Sequence, residues 1–278
     1  MLKTRVITAL VLLALVLPSL FFLPQAYWAI LVALFIGVGA WEWGGLIGMG
    51  GAARSALGVS LAALCAIVSL LAPAAMGVGA DGLAAPWVLL AYGVAAVFWC
   101  LVVPVWMAKK WPMPRAWPGM LVGLVVLFPT WLALVQLRVP GPGVLLAILA
   151  VVWIADIAAY FSGKAFGKHK LAPAISPGKT WEGAIGAGLG VALYGSVLRI
   201  VYGFEPVGMP LWILCLLAVT AISIVGDLYE SLLKRQAGIK DSSNVLPGHG
   251  GVLDRIDSLT STLPVVALLW LLLLKGQA

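Results

Sequence analysis

The chain has 278 residues, 63% of them hydrophobic and only 10% charged, with a mean hydropathy of +1.11 and a formal net charge of +7. A soluble domain is about half apolar and about a quarter charged, and a disordered chain combines low hydrophobicity with high charge, so both classes are excluded. The basic excess points either to nucleic acid or to membrane topology, and the placement of the charges decides between them.

A helix that crosses a bilayer needs about 20 mostly apolar residues. Nine such stretches follow one another, at 5–23, 26–47, 54–73, 84–106, 118–137, 142–162, 183–202, 209–228 and 258–275. Met1-Leu2-Lys3-Thr4-Arg5 followed by an apolar run has the outline of a signal peptide, but no small-x-small site closes the run, so it reads as a first membrane helix. Pro24, Pro73, Pro112-Met113-Pro114 and Pro140-Gly141-Pro142 punctuate the gaps. Trp28, Trp41, Trp43, Trp111, Trp117 and Trp181 stand at expected helix ends, as an interfacial aromatic belt would. Cys65, Cys100 and Cys215 each lie in an apolar run without metal-ligand spacing, and read as small buried hydrophobes.

With the N-terminus cytoplasmic, one side receives Lys3, Arg5, Arg54, Lys109, Lys110, Arg115, Lys164, Lys168, Lys170, Lys179, Lys234, Arg235, Lys240 and Arg255. The other side receives Arg138, Arg199 and Lys275. Short cytoplasmic loops collect Lys and Arg, so this segregation supports an odd number of spans and accounts for most of the charge without nucleic acid as a partner.

Polar chemistry is concentrated after Asp156, in three segments. The first runs from Asp156 through Tyr160, Gly163-Lys164 and Gly167-Lys168 to Lys170. A carboxylate inside an apolar helix is costly and needs a cation, a partner or a water-filled cavity, and Tyr160 at i+4 shares its face. The Gly-Lys pairs combine flexible backbone with ammonium groups, a grip suited to phosphate. The second segment is Ser176-Pro-Gly-Lys179-Thr180-Trp-Glu182-Gly183. Its Ser-Pro-Gly reads as a turn, after which Thr180 caps a helix whose first turn carries Glu182.

The third segment begins with Asp227, Glu230, Ser231 and Lys234, spaced i, i+3, i+4 and i+7 on one helical face. Arg235, Lys240 and Asp241 follow, then Pro247-Gly-His249-Gly250-Gly251-Val-Leu-Asp254-Arg255-Ile-Asp257-Ser258. Carboxylates interleaved with Lys, Arg and His at helix ends suit a phosphate site assisted by a hard cation such as Mg²⁺. The ordinary alternative is a set of surface salt bridges and caps, which for Asp241 and Asp257 has as much claim. A zinc reading of His249 lacks a second His or Cys nearby.

These residues resemble the bacterial form of the phosphatidate cytidylyltransferase (CDP-diacylglycerol synthase) family. The matching pattern is Ser231-Leu-Leu-Lys234-Arg235, Lys240-Asp241 and Pro247-Gly-His249-Gly250-Gly251-Val-Leu-Asp254-Arg255-Ile-Asp257, and the stretch from Asp156 to Gly183 is similar as well. The resemblance implies CTP and phosphatidate as substrates, CDP-diacylglycerol and pyrophosphate as products, and attack of the lipid phosphate on the α-phosphorus of CTP. It implies metal at Asp227 and Asp254, with Mg²⁺ alone or with a second cation as cofactor. It makes Lys234, Arg235, Lys240, His249 and Arg255 further catalytic candidates. Substrate-binding candidates are Asp156, Tyr160, Lys164, Lys168, Ser176, Lys179, Thr180, Glu182, Ser231 and Asp257. It also implies a homodimer in the bacterial inner membrane with its site on the cytoplasmic side.

The expected fold is therefore all-α and polytopic, with about nine transmembrane helices. Residues 1–140 form an N-terminal transmembrane scaffold, and residues 141–278 form a C-terminal transmembrane catalytic region. Two other classes bear on the same features. A CTP-dependent polyprenol or phytol kinase would release lipid phosphate and CDP instead. A transporter of anionic solutes fits the intramembrane Asp156 and Asp227, but the sequence has no inverted repeat and no paired broken helices.

Overall fold

The computed structural model describes residues 2–78, 82–203, 205 and 207–275 of the chain. Helices run in the order α1 (Leu2–Phe22), α2 (Gln25–Leu46), α3 (Gly51–Leu71), α4 (Pro86–Val97), α5 (Val103–Lys109), α6 (Ala116–Gln136), α7 (Pro142–Phe166), α8 (Trp181–Tyr202), α9 (Met209–Gln236) and α10 (Leu253–Lys275). A π-helical turn at Phe98–Val102 fuses α4 and α5 into one rod. Among the described residues nine helical segments are thus long and apolar enough to cross a membrane. Every backbone group inside a bilayer must be paired within the protein, which is why so apolar a chain resolves into helices.

Two prolines show how that demand is met. Pro104 has no N–H to give the carbonyl of Cys100, and immediately before it the helix widens so that Val103 N–H reaches the Phe98 carbonyl, one residue further back than α-helical spacing. In α10, Pro264 leaves the Thr260 carbonyl without its helical donor. The Thr130 hydroxyl of α6 reaches that carbonyl at 3.4 Å.

The centre of the bundle is α2, α6 and α10. Tryptophans stitch it together: Trp28 Nε1 donates to the Leu134 carbonyl at 3.0 Å, Trp43 Nε1 to Gly119 at 2.9 Å and Trp131 Nε1 to Ala29 at 3.0 Å. The aromatic-belt reading is corrected here, because Trp28 and Trp43 are buried cross-links between α2 and α6. Trp111, Trp117 and Trp181 are exposed, and Trp41 lies 4.1 Å beneath the Arg54 guanidinium. The cysteine reading is corrected in part, since Cys65 is buried, Cys215 is half-buried and Cys100 is exposed on an apolar span.

The helix ends confirm the charge segregation in space. The residues read as cytoplasmic stand at one end of the rods, where Thr8 Oγ1 of α1 donates to the Pro247 carbonyl at 2.8 Å. At the other end, Arg138 and Arg199 are buried. Arg138 donates to the carbonyls of Leu20 and Leu23, closing the last turn of α1, and to Gln25 Oε1 at 2.8 Å. Arg199 donates to the Val207 carbonyl. Arg138 thus caps carbonyls at the end of α1, and Arg199 serves a carbonyl of the segment between α8 and α9. The Lys275 side chain lies outside the described residues.

Candidate active site

Two helices extend further than their apolar runs. α7 continues to Phe166 and α9 to Gln236, so Lys164, Glu230, Lys234 and Arg235 stay helical instead of entering loops. Asp156 lies ten residues before the end of α7 and Asp227 nine before the end of α9. At 1.5 Å per residue, both carboxylates sit about 14–15 Å inside the helix ends.

Between α7 and α8 the chain forms a two-stranded antiparallel hairpin, β1 (Lys170–Ala172) and β2 (Ser176–Thr180). The turn expected at Ser176-Pro-Gly is in fact strand, and the reversal falls at residues 173–175. Pro177 is tolerated because a two-stranded ribbon has free edges. Thr180 caps α8 as its type predicts, accepting from Gly183 N–H at 3.1 Å. Glu182 turns back to the hairpin, with Oε1 2.6 Å from His169 Nδ1, and both oxygens accept from His169 N–H at 3.2 Å. This clip fixes the strand that carries Lys179.

Lys179 Nζ is ion-paired with Asp227 Oδ2, while Asp227 Oδ1 accepts from Ser231 Oγ at 3.3 Å. Asp156 lies within electrostatic reach of Asp227, Lys179 and Arg255, and Asp257 within reach of Asp227, Asp156 and Lys234. Asp257 Oδ1 also accepts from Ser258 N–H at 2.7 Å. Three carboxylates, from α7, α9 and α10, thus lie within electrostatic reach of one another, with Lys179 beside Asp227 and Asp156, and Lys234 within reach of Asp257.

Asp254 belongs to a second, drier group. Its Oδ2 accepts from Ser242 N–H at 2.8 Å, Ser242 Oγ at 2.9 Å and Gly251 N–H at 2.8 Å. Its Oδ1 lies 2.6 Å from Lys234 Nζ, which is also 3.1 Å from Glu230 Oε1. The i+4 spacing of Glu230 and Lys234 is therefore realised as an ion pair. Lys234 is thus engaged by carboxylates and does not stand open as a phosphate contact.

The glycines of the loop now have a physical role. Gly250, at φ +78°, would bring a Cβ to 2.6 Å from Asp254 Oδ2, and a Cβ on Gly251 would collide with Ser242 Oγ and Glu42 Oε1. Only glycine leaves room for two carboxylates to approach that backbone. The turn closes as Leu246 N–H donates to the Gly250 carbonyl at 2.9 Å, with His249 N–H on the Leu246 carbonyl at 2.8 Å.

Lys164, Lys168, Arg235, Lys240 and Arg255 are exposed and form no ion pair among the described residues. Tyr160 is exposed, with Lys164 Nζ 5.9 Å from its ring. Ser176 is half-buried on β2, and Asp241 is exposed beside the loop. No group of three or more His, Cys, Asp or Glu side chains among the described residues is arranged to hold a metal unaided. That donor set still suits Mg²⁺, which takes one or two carboxylates and completes its shell with waters and substrate phosphates.

Sequence reasoning missed Glu42. It lies in α2, in the stretch taken for scaffold, and is fully buried. Its carboxylate accepts from Ser242 Oγ, Ser243 Oγ, Val252 N–H and Leu253 N–H at 2.5–3.2 Å. A lone acid in the apolar run Ala40-Trp-Glu-Trp-Gly44 was the available signal, because an unpaired carboxylate there is too costly to leave without partners.

Nine apolar helices among the described residues, with an acidic and basic cluster at one end, describe a polytopic membrane protein whose charged groups suit phosphate chemistry. The chain matches the cytidylyltransferase family over residues 3–273 and belongs to it. It is 44% identical over 281 residues to the phosphatidate cytidylyltransferase of Pseudomonas aeruginosa, an alignment covering 97% of each chain. It is 36% identical over 282 residues to the protein of the same name from Haemophilus influenzae, covering 95% of this chain and 96% of the relative. A Brucella suis protein of that name is 45% identical over 168 residues, 59% of this chain and 60% of its own.

Proposed function

We propose that this chain catalyses the reaction its relatives are named for, transferring a cytidylyl group from CTP to phosphatidate to give CDP-diacylglycerol and pyrophosphate. The observation that carries the site assignment is a shared arrangement of two aspartates. Asp227 and Asp254 each have one oxygen held by neutral donors and the other turned to a lysine ammonium. A carboxylate oxygen held next to positive charge suits a cation site, and the half-buried Lys179 beside Asp227 suits a phosphate.

In this reading the lipid phosphate oxygen attacks the α-phosphorus, a new P–O bond forms, and the bond to the β-phosphate oxygen breaks with pyrophosphate leaving. No protein nucleophile is required, so catalysis rests on positioning and on offsetting charge. Mg²⁺, alone or with a second cation, would be held by Asp227 and Asp254 and would supply charge neutralisation for the triphosphate. Lys179 presents an ammonium group beside the reacting phosphates, while Lys234, held between Asp254 and Glu230, sets the charge and direction of Asp254. Arg235, Lys240 and Arg255 ring the same end with His249, and Lys164 in the last turn of α7 and Lys168 just beyond it extend the basic surface. Asp156, Tyr160 and Asp257 line the side nearest α7; Ser231 orients Asp227, and Thr180 and Glu182 hold the strand that bears Lys179. Ser176 lies on that strand toward the substrates.

The position of Asp156 and Asp227 close to the ends of their apolar runs supports a lipid substrate, whose headgroup enters from the bilayer while CTP arrives from water. The clustering of basic residues at one end supports a cytoplasmic site with the N-terminus on that side. The bacterial relatives support the inner membrane. The homodimer is carried over from the family resemblance and is checked by the mass of the detergent-solubilised particle.

The test is to supply purified protein in detergent with CTP, phosphatidate and Mg²⁺ and to identify the lipid and nucleotide products. CDP-diacylglycerol with pyrophosphate is expected. Lipid phosphate with CDP would make it a kinase, and no product under any divalent cation would overturn the reading.

A further inference from the structure

We propose that Glu42 is a positioning residue for Asp254, acting from α2 through the Ser242 hydroxyl and the backbone that opens α10. The proposal rests on the reading of Asp254 as a site residue. Three consecutive amides divide between the two acids: Gly251 N–H donates to Asp254 at 2.8 Å, Val252 N–H to Glu42 Oε1 at 3.0 Å and Leu253 N–H to Glu42 Oε2 at 2.7 Å. Ser242 has one hydroxyl proton and two carboxylate acceptors, Asp254 Oδ2 at 2.9 Å and Glu42 Oε2 at 3.2 Å. Ser243 Oγ donates to Glu42 Oε1 at 2.5 Å and in turn accepts from Val245 N–H at 3.1 Å. Every donor to Glu42 is neutral, so the residue gathers backbone and hydroxyls instead of neutralising a cation.

The arrangement is a helix cap supplied from another helix. The first amides of an α-helix lack intrahelical partners and favour an anion. Asp254 occupies the first turn of α10, so whatever fixes Val252 and Leu253 also fixes the direction of its side chain. A fully buried carboxylate is expensive unless each lone pair is satisfied. The same donors that satisfy Glu42 therefore have one low-energy arrangement, which holds residues 242–254 to the bundle core. Gly251 lacks a side chain where both Glu42 and Ser242 press against it. Supporting partners that orient a ligating side chain act on turnover as strongly as on binding.

The experiment compares wild type with Glu42→Gln, Ser242→Ala and the double variant, using hydrogen exchange, thermal unfolding in detergent and steady-state kinetics. Glu42→Gln is expected to accelerate exchange in peptides spanning 242–254 with little change elsewhere, and to lower kcat about 10–100-fold, the usual cost of losing such a partner, with KM for CTP nearly unchanged. Because the two acids share the Ser242 hydroxyl, the double variant is expected to lose less than the product of the two single losses. Unchanged local exchange, additive losses, or a fall in kcat that only tracks a global loss of melting temperature would each overturn the proposal. Should Glu42→Gln not fold, Ser242→Ala carries the test, with raised exchange at 251–254 and lowered kcat expected and wild-type values overturning it. Asp254→Asn, measured alongside, separates the two readings: full turnover there removes Asp254 from the site, while the exchange data judge the clamp by themselves.

Discussion

Lys234 stands between two acids, 2.6 Å from Asp254 Oδ1 and 3.1 Å from Glu230 Oε1, with its side chain 12% exposed. A cation so placed holds α9 against the start of α10 as well as setting local charge. Replacing it with methionine leaves both carboxylates without their counter-ion. Removing one partner of a buried pair costs about 3–5 kcal/mol, so Lys234→Met is expected to lower the melting temperature sharply. Glu230→Gln in the same chain removes one of the stranded charges and should recover part of the loss, read by thermal unfolding on a sizing column.

Asp227→Asn is expected to behave in the opposite way. Asp227 shares its surroundings with Asp156 and Asp257, so neutralising it relieves repulsion between like charges. Turnover should fall at least about 10²–10³-fold, the scale of losing one electrostatic contact to a reacting group. Thermal stability should hold or rise slightly, as when a strained functional charge is removed. A variant that loses activity and melts early would assign Asp227 a structural role instead.

Chelation of divalent cations should stop turnover without unfolding the chain. Both aspartates already carry a lysine ammonium, so the fold does not depend on a metal to offset them. Circular dichroism with and without EDTA is expected to superimpose, while product formation returns on adding Mg²⁺. Collapse of helicity under EDTA would refute this.

Gly251→Ala and Gly178→Ala separate packing from chain flexibility. A methyl on Gly251 would meet Glu42 and Ser242, whereas Gly178 has nothing within 4 Å of the same position. Forcing atoms into a filled site costs about 1–3 kcal/mol, so Gly251→Ala should melt earlier and exchange faster at 242–254. Gly178→Ala should melt with the wild type. Equal melting of the two variants would show that the loop yields.

Arg138→Met tests the far end of the bundle. Its guanidinium gives three hydrogen bonds, two to carbonyls at the end of α1 and one to Gln25. Leaving buried acceptors unpaired costs about 1–3 kcal/mol each. The variant should therefore melt early with KM for CTP unchanged, since no site residue is near that end. A changed KM with normal melting would contradict the capping role.

Length, hydropathy and proline spacing were enough to place all nine spans, because a bilayer admits one solution for an apolar backbone of about 20 residues. The basic residues at one end, the cap at Thr180, and the shared faces of Asp227 with Ser231 and Glu230 with Lys234 were also legible, since each follows from short-range helical spacing. Partner choice was not. Nothing in the chain from Asp227 to Lys234 says that this lysine turns to Asp254 instead, or that Lys179 crosses from a hairpin to Asp227. Trp28 and Trp43 have the sequence context of interfacial residues, yet helix packing buries them. Glu42 is separated by 200 residues from Ser242, and only the packing of α2 against α10 brings its carboxylate to the loop. Local spacing decides which side chains share a helix face. Which acid meets which donor depends on how the helices cross, and that is a property of the assembled bundle.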